Sequence, residues 1–477
     1  MRRLAASLLL ASLGACTFQP KYVRPAPAVP AGWRIADPAL LASETDLAVL
    51  DHRAIFRDTR LQSLIARGLE NNQDLKLALA NVAAARGLYR VQRAALLPAV
   101  GASASATVRK GANGNLVNVG TNAASGIRTS YSVDIGESAF ELDLFGRVRS
   151  LSDTALNSYL ATEQAARATR LTLAADIADV YFTLAADRSL LAIARQTATS
   201  AERSVTLTAV RLKGGVAPRT NLRQAETIAA TARSDLANLT TIVDQDRNAL
   251  DLLVGMPAAA DDLPGAIEDV DALVAPVPAG LDSSILLRRP DVVGAEYQLR
   301  SASARIGAAR AAFFPRISLT SFTGLASAAL SSLFTGGSFN YSAGASAALP
   351  IFDWGVNRGN LAAARAQAEG ATASYQRAIQ SAFREVSDAL ARRATIADQI
   401  NAQTALEAAA RDTAFLTEQS YRGGALSFLD SLDAQRALYG AQRSLVAARL
   451  LRASNTVALY RALGGDTFSG QAAPERR

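Results

Sequence analysis

The chain has 477 residues, 49% of them hydrophobic but only 6% aromatic, with 31 Gly against 15 Pro. That is enough chain for a sizeable core, and a charged fraction of 19% is too low for a disordered acidic polymer. Fifty basic residues against 42 acidic ones leave a formal charge of +8. No run of five or more Lys/Arg concentrates it, so nucleic acid is not expected as a partner. One Cys and one His exclude an internal disulfide and a metal centre built from several such ligands, and two Met offer no thioether path for copper. The single histidine, His52, follows a Pro-punctuated lead-in and reads as a solvated loop residue. No cluster of catalytic side chains is visible, so neither an enzyme nor a bound cofactor is expected.

Residues 1–15 read as an address. Arg2 and Arg3 precede the apolar stretch Leu4 to Leu13, too short for a permanent membrane helix and laid out as a secretory signal. Leu13-Gly14-Ala15-Cys16 resembles the bacterial lipoprotein box, in which the cysteine is acylated and becomes the first residue. The alternative is a plain signal peptide cleaved after Ala15, leaving a free thiol. The only cysteine of the chain stands where that box needs one, which favours a covalent lipid on Cys16. Thr17 follows in place of the aspartate that retains lipoproteins in the inner membrane, so this resemblance implies sorting to the outer membrane. Cleavage removes Arg2 and Arg3 and leaves a side-chain charge of +6. Beyond the signal no apolar run reaches 18 residues, so a mature chain that crosses a membrane must do so as a closed β-barrel.

An extended, Pro-rich segment (16–58, with Pro20, Pro25, Pro27 and Pro30) leads into the first of two similar halves. Residues 59–97 have helical spacing, which Pro98 stops. From Val100 the pattern alternates, with Val100, Ala102, Ala104, Ala106 and Val108 on one side and Gly101, Ser103, Ser105, Thr107 and Arg109 on the other. A Gly/Asn-rich loop (111–126) and a second alternating run through Tyr131, Val133 and Ile135 complete a β-hairpin at about 99–145. After Gly146 a helix is predicted to about Lys213, 67 residues or roughly 100 Å. Ile177, Val180, Tyr181 and Leu184 form its apolar stripe. Gly214-Gly215 breaks it, and a return helix reaches Gly255, with Leu236, Leu239, Val243, Leu250 and Leu253 at heptad-like steps interrupted by Asp246. Residues 256–281 form a Pro/Asp/Ala-rich linker with one short helix.

The second half (282–464) copies the first (59–255). Asp179 and Asp388, Gly146 and Gly355, Gly214-Gly215 and Gly423-Gly424, and Gly255 and Gly464 are all 209 residues apart. Ala94-Ala95-Leu96-Leu97-Pro98 matches Ala311-Ala312-Phe313-Phe314-Pro315 at 217, which places an eight-residue difference inside the hairpins. The chain is a tandem duplication. Its second hairpin falls at about 316–353, with Ile317 and Leu319 against Ser318 and Thr320. The return run sets Phe339, Tyr341, Ala343, Ala345, Ala347 and Leu349 against Ser338, Asn340, Ser342, Gly344 and Ser346. Residues 465–477 read as a flexible tail.

A period of two over about ten residues suits a transmembrane strand. Four strands cannot close a barrel, and open edges in lipid would strand unpaired backbone groups. Two copies would give eight strands with a filled interior, and three give twelve with a lumen. Small polar inward residues suit a wet pore, so a homotrimer fits best.

Leu287-Arg288-Arg289-Pro290-Asp291-Val292, then Glu296, then Ala311-Ala312-Phe313-Phe314-Pro315-Arg316-Ile317 resemble the TolC-type outer-membrane efflux factors. Glu141-Leu142-Asp143-Leu144-Phe145-Gly146-Arg147 and Tyr421-Arg422-Gly423-Gly424 are similar to motifs of the same family. The lipoprotein box points to its NodT-like lipoprotein branch. The resemblance covers roughly 50–465. It implies a mostly α protein with membrane β: a repeat of helix, two strands, long helix and return helix, trimerised into a 12-stranded outer-membrane β-barrel on a periplasmic α-helical barrel. It also implies an equatorial belt from the linkers, a periplasmic adaptor (membrane fusion) protein, an inner-membrane resistance–nodulation–division transporter, and a lipid-anchored outer-membrane location in a Gram-negative cell. The expected function is a passive exit duct for small molecules such as drugs. An outer-membrane duct for type I protein secretion shares the fold, although the lipoprotein box and the Arg-Arg-Pro-Asp motif lean away from it. A structural coiled-coil lipoprotein is the other rival, and it would not need alternating strands.

The Gly-Gly turns would form the periplasmic tip, either as bare turns or as a docking point. By resemblance Gly214, Gly215, Val216, Gly423, Gly424, Ala425 and Leu426 would contact the adaptor. Asp430 and Asp433 lie one helical turn apart. Spacing alone reads them as a solvated helix face, but the family's constricting aspartates fall at both positions. Rings of three carboxylates there would attract cations and repel each other. Thr220 and Tyr421 match positions of the family's tip bonding network. Asn221 stands where that network has an acidic residue and Leu426 where a known member has an arginine, so the resemblance predicts a gate without those charge-assisted bonds. Arg289-Pro290-Asp291 reads as a structural helix start. Phe313-Phe314 and Phe352-Asp353-Trp354 mark helix–strand joints, as an aromatic girdle or as core.

Overall fold

The computed structural model describes residues 17–30, 32–33, 52–110, 127–270, 274 and 283–465. Cys16, the signal segment, the 111–126 loop, part of the linker and the tail lie outside the described residues. The chain divides into two compact units, one built from residues up to 25, 82–162 and 295–375, the other from 26–81, 163–294 and 376 onward. Helices α1 (Thr59–Asn71), α2 (Gln73–Ala94), α3 (Arg147–Lys213) and α4 (Arg219–Val254) belong to the first half of the sequence. Helices α5 (Pro290–Ala311), α6 (Val356–Arg422) and α7 (Phe428–Ala462) belong to the second. Single-turn helices stand at His52–Ile55 and Ile267–Val270. Both α3 and α6 are 67 residues long, and their ends are 209 residues apart at either terminus. None of the described helices is long and apolar enough to cross a membrane.

The first unit carries one antiparallel sheet in the order β1 (Gly101–Lys110), β2 (Ile127–Leu142), β3 (Arg316–Ser327), β4 (Phe339–Ala348). Its register sorts the two predicted side-chain sets onto two faces. Ala102, Ala104 and Ala106 stand opposite Ile135, Val133 and Tyr131, Val133 meets Leu325, and Leu325 meets Phe339. Ser103, Ser105 and Thr107 stand opposite Asp134, Ser132 and Ser130, and across β3 and β4 Ser318 meets Ser346 and Gly324 meets Asn340. The polar face includes one aromatic residue, Phe322, opposite Gly136, where a Cβ would lie 2.6 Å from that of Phe322. Between Glu137 and Phe140 the register slips by one residue. Odd-numbered β2 residues hold the apolar face before the slip; Phe140 and Leu142 hold it afterwards, opposite Leu319 and Ile317. The bulge thus keeps one face apolar along a strand whose sequence changes phase. Among the described residues β1 and β4 each keep one edge without a strand partner.

Ahead of the sheet, the segment after Thr17 docks within the same unit. Phe18 stacks on Phe314 at 4.5 Å, and Phe314 on Phe145 at 4.9 Å. Arg24 and Tyr22 bond to the buried carboxylate of Glu296 at 2.7 and 3.1 Å, and Arg300 bonds to it at 2.6 Å. The two aromatic joints therefore differ: Phe314 joins a stack, whereas Phe352 and Trp354 are 72% and 89% exposed.

The second unit is helical. Its centre is an aromatic group in which Phe56 meets Tyr460 at 5.5 Å and Phe182 at 6.2 Å, all three buried. Ile177, Tyr181 and Leu184 of the predicted stripe are fully buried. His52, expected in a solvated loop, is instead 7% exposed and opens a single-turn helix. The reason is its neighbour: Phe56 is drawn into the core and its N–H bonds to the His52 carbonyl at 2.8 Å. The single helix expected over 59–97 is likewise two, split at the buried Asn72. The Asn72 side-chain oxygen caps α2 by accepting from Leu75 N at 2.9 Å, while its amide donates to the Leu253 carbonyl at 3.0 Å. The linker carries a 3-10 turn at Ala260–Asp262 as well as the one short helix expected.

Candidate functional site at the hairpin tips

Each long helix of the second unit ends in the same way. In the first hairpin Gly215 takes φ +72°, its N–H bonds to Leu212 O, and Val216 N–H bonds to Arg211 O. In the second, Gly424 takes φ +79°, its N–H bonds to Tyr421 O, and Ala425 N–H bonds to Ser420 O. These paired 5→2 and 6→1 bonds are Schellman caps, and the left-handed residue they need is the second glycine of each pair. Gly214, Gly215, Val216, Gly423, Gly424, Ala425 and Leu426 are all exposed.

The return helices start differently. Pro218 precedes α4 without a side-chain cap, while Ser427 opens α7 with a capping box. Asp430, the third residue of the helix, closes that box: its Oδ2 accepts from Ser427 Oγ at 2.7 Å and from Ser427 N at 3.2 Å. One of the two proposed ring carboxylates therefore also holds its own helix start. Asp433, one turn on, is exposed and only loosely paired with Arg436 at 3.9 Å.

Tyr421 is buried, packed on Phe428 with ring centroids 5.3 Å apart. Both join Leu432 and Ala225 in a cluster flanked by Val205, Leu207 and Ile228, so the tips of the two hairpins share one small core. Thr220 is exposed and Asn221 half-buried, and the phenol of Tyr421 has no hydrogen-bond partner among the described residues. The structure thus brings Tyr421 to the tip core but does not join it to Asn221. Arg211, which the sequence reading passed over, fills that place. Its guanidinium lies 4.7 Å above the Tyr421 ring and its NH1 donates to the Tyr421 carbonyl at 3.2 Å. The one available signal was the repeat itself, because 209 residues on from Arg211 stands Ser420.

Beside the tip a groove of roughly 570 Å³ runs between α3, α4 and α7. Gln224, Thr227, Asp235, Asp433, Arg436 and Tyr439 supply much of its polar lining, with Tyr439 donating to Asp235 at 3.2 Å.

The family model described as "Outer membrane efflux protein" matches residues 64–256 and 281–465. The chain belongs to the outer membrane efflux protein family. It is 42% identical over 464 residues to the antibiotic efflux pump outer membrane protein ArpC of Pseudomonas putida, covering 96% of this chain and 95% of that one. It shares the same identity and coverage with the toluene efflux pump outer membrane protein TtgC, also of Pseudomonas putida. The open-state crystal structure of the Neisseria gonorrhoeae MtrE outer membrane channel matches with a TM-score of 0.81 at 34% identity, covering 95% of this chain and 99% of that one. This efflux protein is an outer-membrane exit duct with a helical periplasmic part, and its family is one of ducts rather than of enzymes.

Proposed function

We propose that three copies of this chain close one 12-stranded outer-membrane barrel and pass small molecules, drugs and solvents among them, outward from a tripartite pump. The observation that carries this reading is the four-stranded sheet, with one apolar face, one polar face and two open edges. In lipid such edges must be paired, and a neighbouring β4 beside each β1 pairs them. The polar face then lines the lumen. Antibiotic and toluene relatives of equal identity support selection by the pump rather than by the duct.

In this reading the tip residues Gly214, Gly215, Val216, Gly423, Gly424, Ala425 and Leu426 meet a periplasmic adaptor, which in turn engages an inner-membrane resistance–nodulation–division transporter. Cys16 carries the acyl anchor. Asp430 and Asp433 ring the narrowest point, with Thr220, Asn221 and Tyr421 around them. The mass of the detergent-extracted protein, corrected for bound detergent, tests the barrel: three chains per particle are expected, and a monomer would overturn it. Asp433→Ala tests the ring without disturbing the capping box. Cation preference in planar bilayers should fall, and unchanged single-channel behaviour would remove Asp433 from the gate.

A further inference from the structure

Arg211 stands in the last turn of α3 and Tyr421 in the last turn of α6, so their contact joins the two hairpins of one protomer. We propose that Arg211 is a positioning residue of the gate, a clamp that holds the two hairpin tips of each protomer together and keeps the duct narrow at rest. The inference rests on the gate reading above and supplies the charge-assisted bond that Asn221 and Leu426 cannot make.

Three observations carry it. First, one guanidinium engages Tyr421 twice, through the carbonyl at 3.2 Å and over the ring at 4.7 Å. That carbonyl already accepts from Gly424 N–H at 3.1 Å, so the arginine uses the remaining lone pair of the helix's end. Second, the contact sits against the apolar cluster of Ala225, Phe428 and Leu432, where exclusion of water strengthens a charge-assisted bond. Third, the contact is one-way. The second repeat has Ser420 in place of Arg211 and the first has Leu212 in place of Tyr421, so the duplicated tip holds the clamp once.

The clamp is also built to release. Among the described residues, Arg211 Nε and the Tyr421 hydroxyl are both buried without a partner. Parting the tips would hydrate both atoms, and that gain offsets part of the lost bond. A contact with one central bond at 3.2 Å and two unsatisfied neighbours suits a joint that must open when docked.

Spin labels at Val216→Cys and Leu426→Cys, one on each exposed tip, test the clamp by pulsed dipolar spectroscopy of the full-length oligomer. Arg211→Ala should lengthen and broaden the within-protomer distance and raise the resting conductance in planar bilayers several-fold. Arg211→Met, which keeps the packed stem, serves in its place if Arg211→Ala does not assemble, and Arg211→Lys should rescue only in part. Wild-type distances and conductance in Arg211→Ala or Arg211→Met would overturn the clamp, and a conductance change in Asp433→Ala would then show that the gate reading survives it. Widened tips with unchanged conductance overturn it too, and if Asp433→Ala is equally silent, the gate reading falls with it.

Discussion

The two repeats differ least where the backbone makes demands and most where side chains make bonds. Left-handed glycines recur at Gly146 and Gly355, Gly215 and Gly424, and Gly255 and Gly464, and the long helices match residue for residue. Side chains at equivalent places have diverged. Asn72 and Arg289 stand at the same spacing as the repeated prolines, and each donates to the last carbonyls of its own return helix, Leu253 and Ala462, themselves 209 apart. One bond is neutral, the other cationic. Duplication kept the backbone geometry, and the side-chain contacts built on it were then free to specialise in one copy.

The largest effect should come from that pair. Arg289 has a nearly buried side chain and bonds Ala462 O at 2.7 Å, Asp291 at 2.7 and 3.0 Å, and Glu385 at 2.9 Å. Arg289→Ala leaves all three acceptors without it and should cost about 3 kcal/mol, the lower end of the range for breaking a buried ion pair because both carboxylates are partly exposed. Asn72→Ala loses a neutral bond and a cap, about 1 to 2 kcal/mol. Thermal loss of helical circular dichroism in detergent measures both, and equal midpoint shifts would erase the proposed asymmetry.

The glycine turns should behave oppositely, alike in both repeats. Gly215→Ala and Gly424→Ala force an L side chain into the left-handed region and should each cost about 1 to 2 kcal/mol. Gly214→Ala and Gly423→Ala should be nearly silent, because a Cβ there meets nothing closer than 3.6 and 3.5 Å. A cost at the first glycine of either pair would mean that crowding at the tip, and not φ, retains it.

This contrast also sets what the sequence could tell. Glycine spacing, strand alternation and helix length are repeated backbone requirements, so the duplication, both hairpins and both tips were legible. Residues whose roles depend on a distant group arriving were not. Asn72 splits α1 from α2 because Leu253 O comes to meet it, and His52 is buried because Phe56 is. The bulge after Glu137 is visible only once β3 sets the register. Asp430 carried a correct local signal, Ser-x-x-Asp, that a gate reading overlooked. Arg211 looked like any cation in the last turn of a helix until Tyr421 stood beside it.

The smallest change expected to be measurable, and the only gain, lies where the heptad pattern of α4 breaks. Asp246 stands beside Asp187 of α3, and burial together with that neighbour pushes its carboxyl up to about 7 from an ordinary 3.8. Burial raises Asp187 as well, and no cation contributes to either shift. The second repeat has nothing to titrate there: Ile396 is buried in an apolar cluster and Asn455 donates to Ala389 O at 3.0 Å. Because the folded value is raised, the packed hairpin holds a proton that the unfolded chain has already released. Stability should therefore decline as pH rises from about 4 to about 7, and level off above that. Asp246→Asn supplies a permanent donor to Asp187. In a half-buried, solvent-screened pair it should gain on the order of 0.5 kcal/mol at pH 8 and nothing at pH 5. The comparison of midpoints at the two pH values, wild type against variant, isolates this term, since substitution in the second hairpin at Asn455 cannot remove a slope that hairpin does not have. An undiminished slope in Asp246→Asn would place the titration elsewhere and make the two hairpins equivalent in their response to pH.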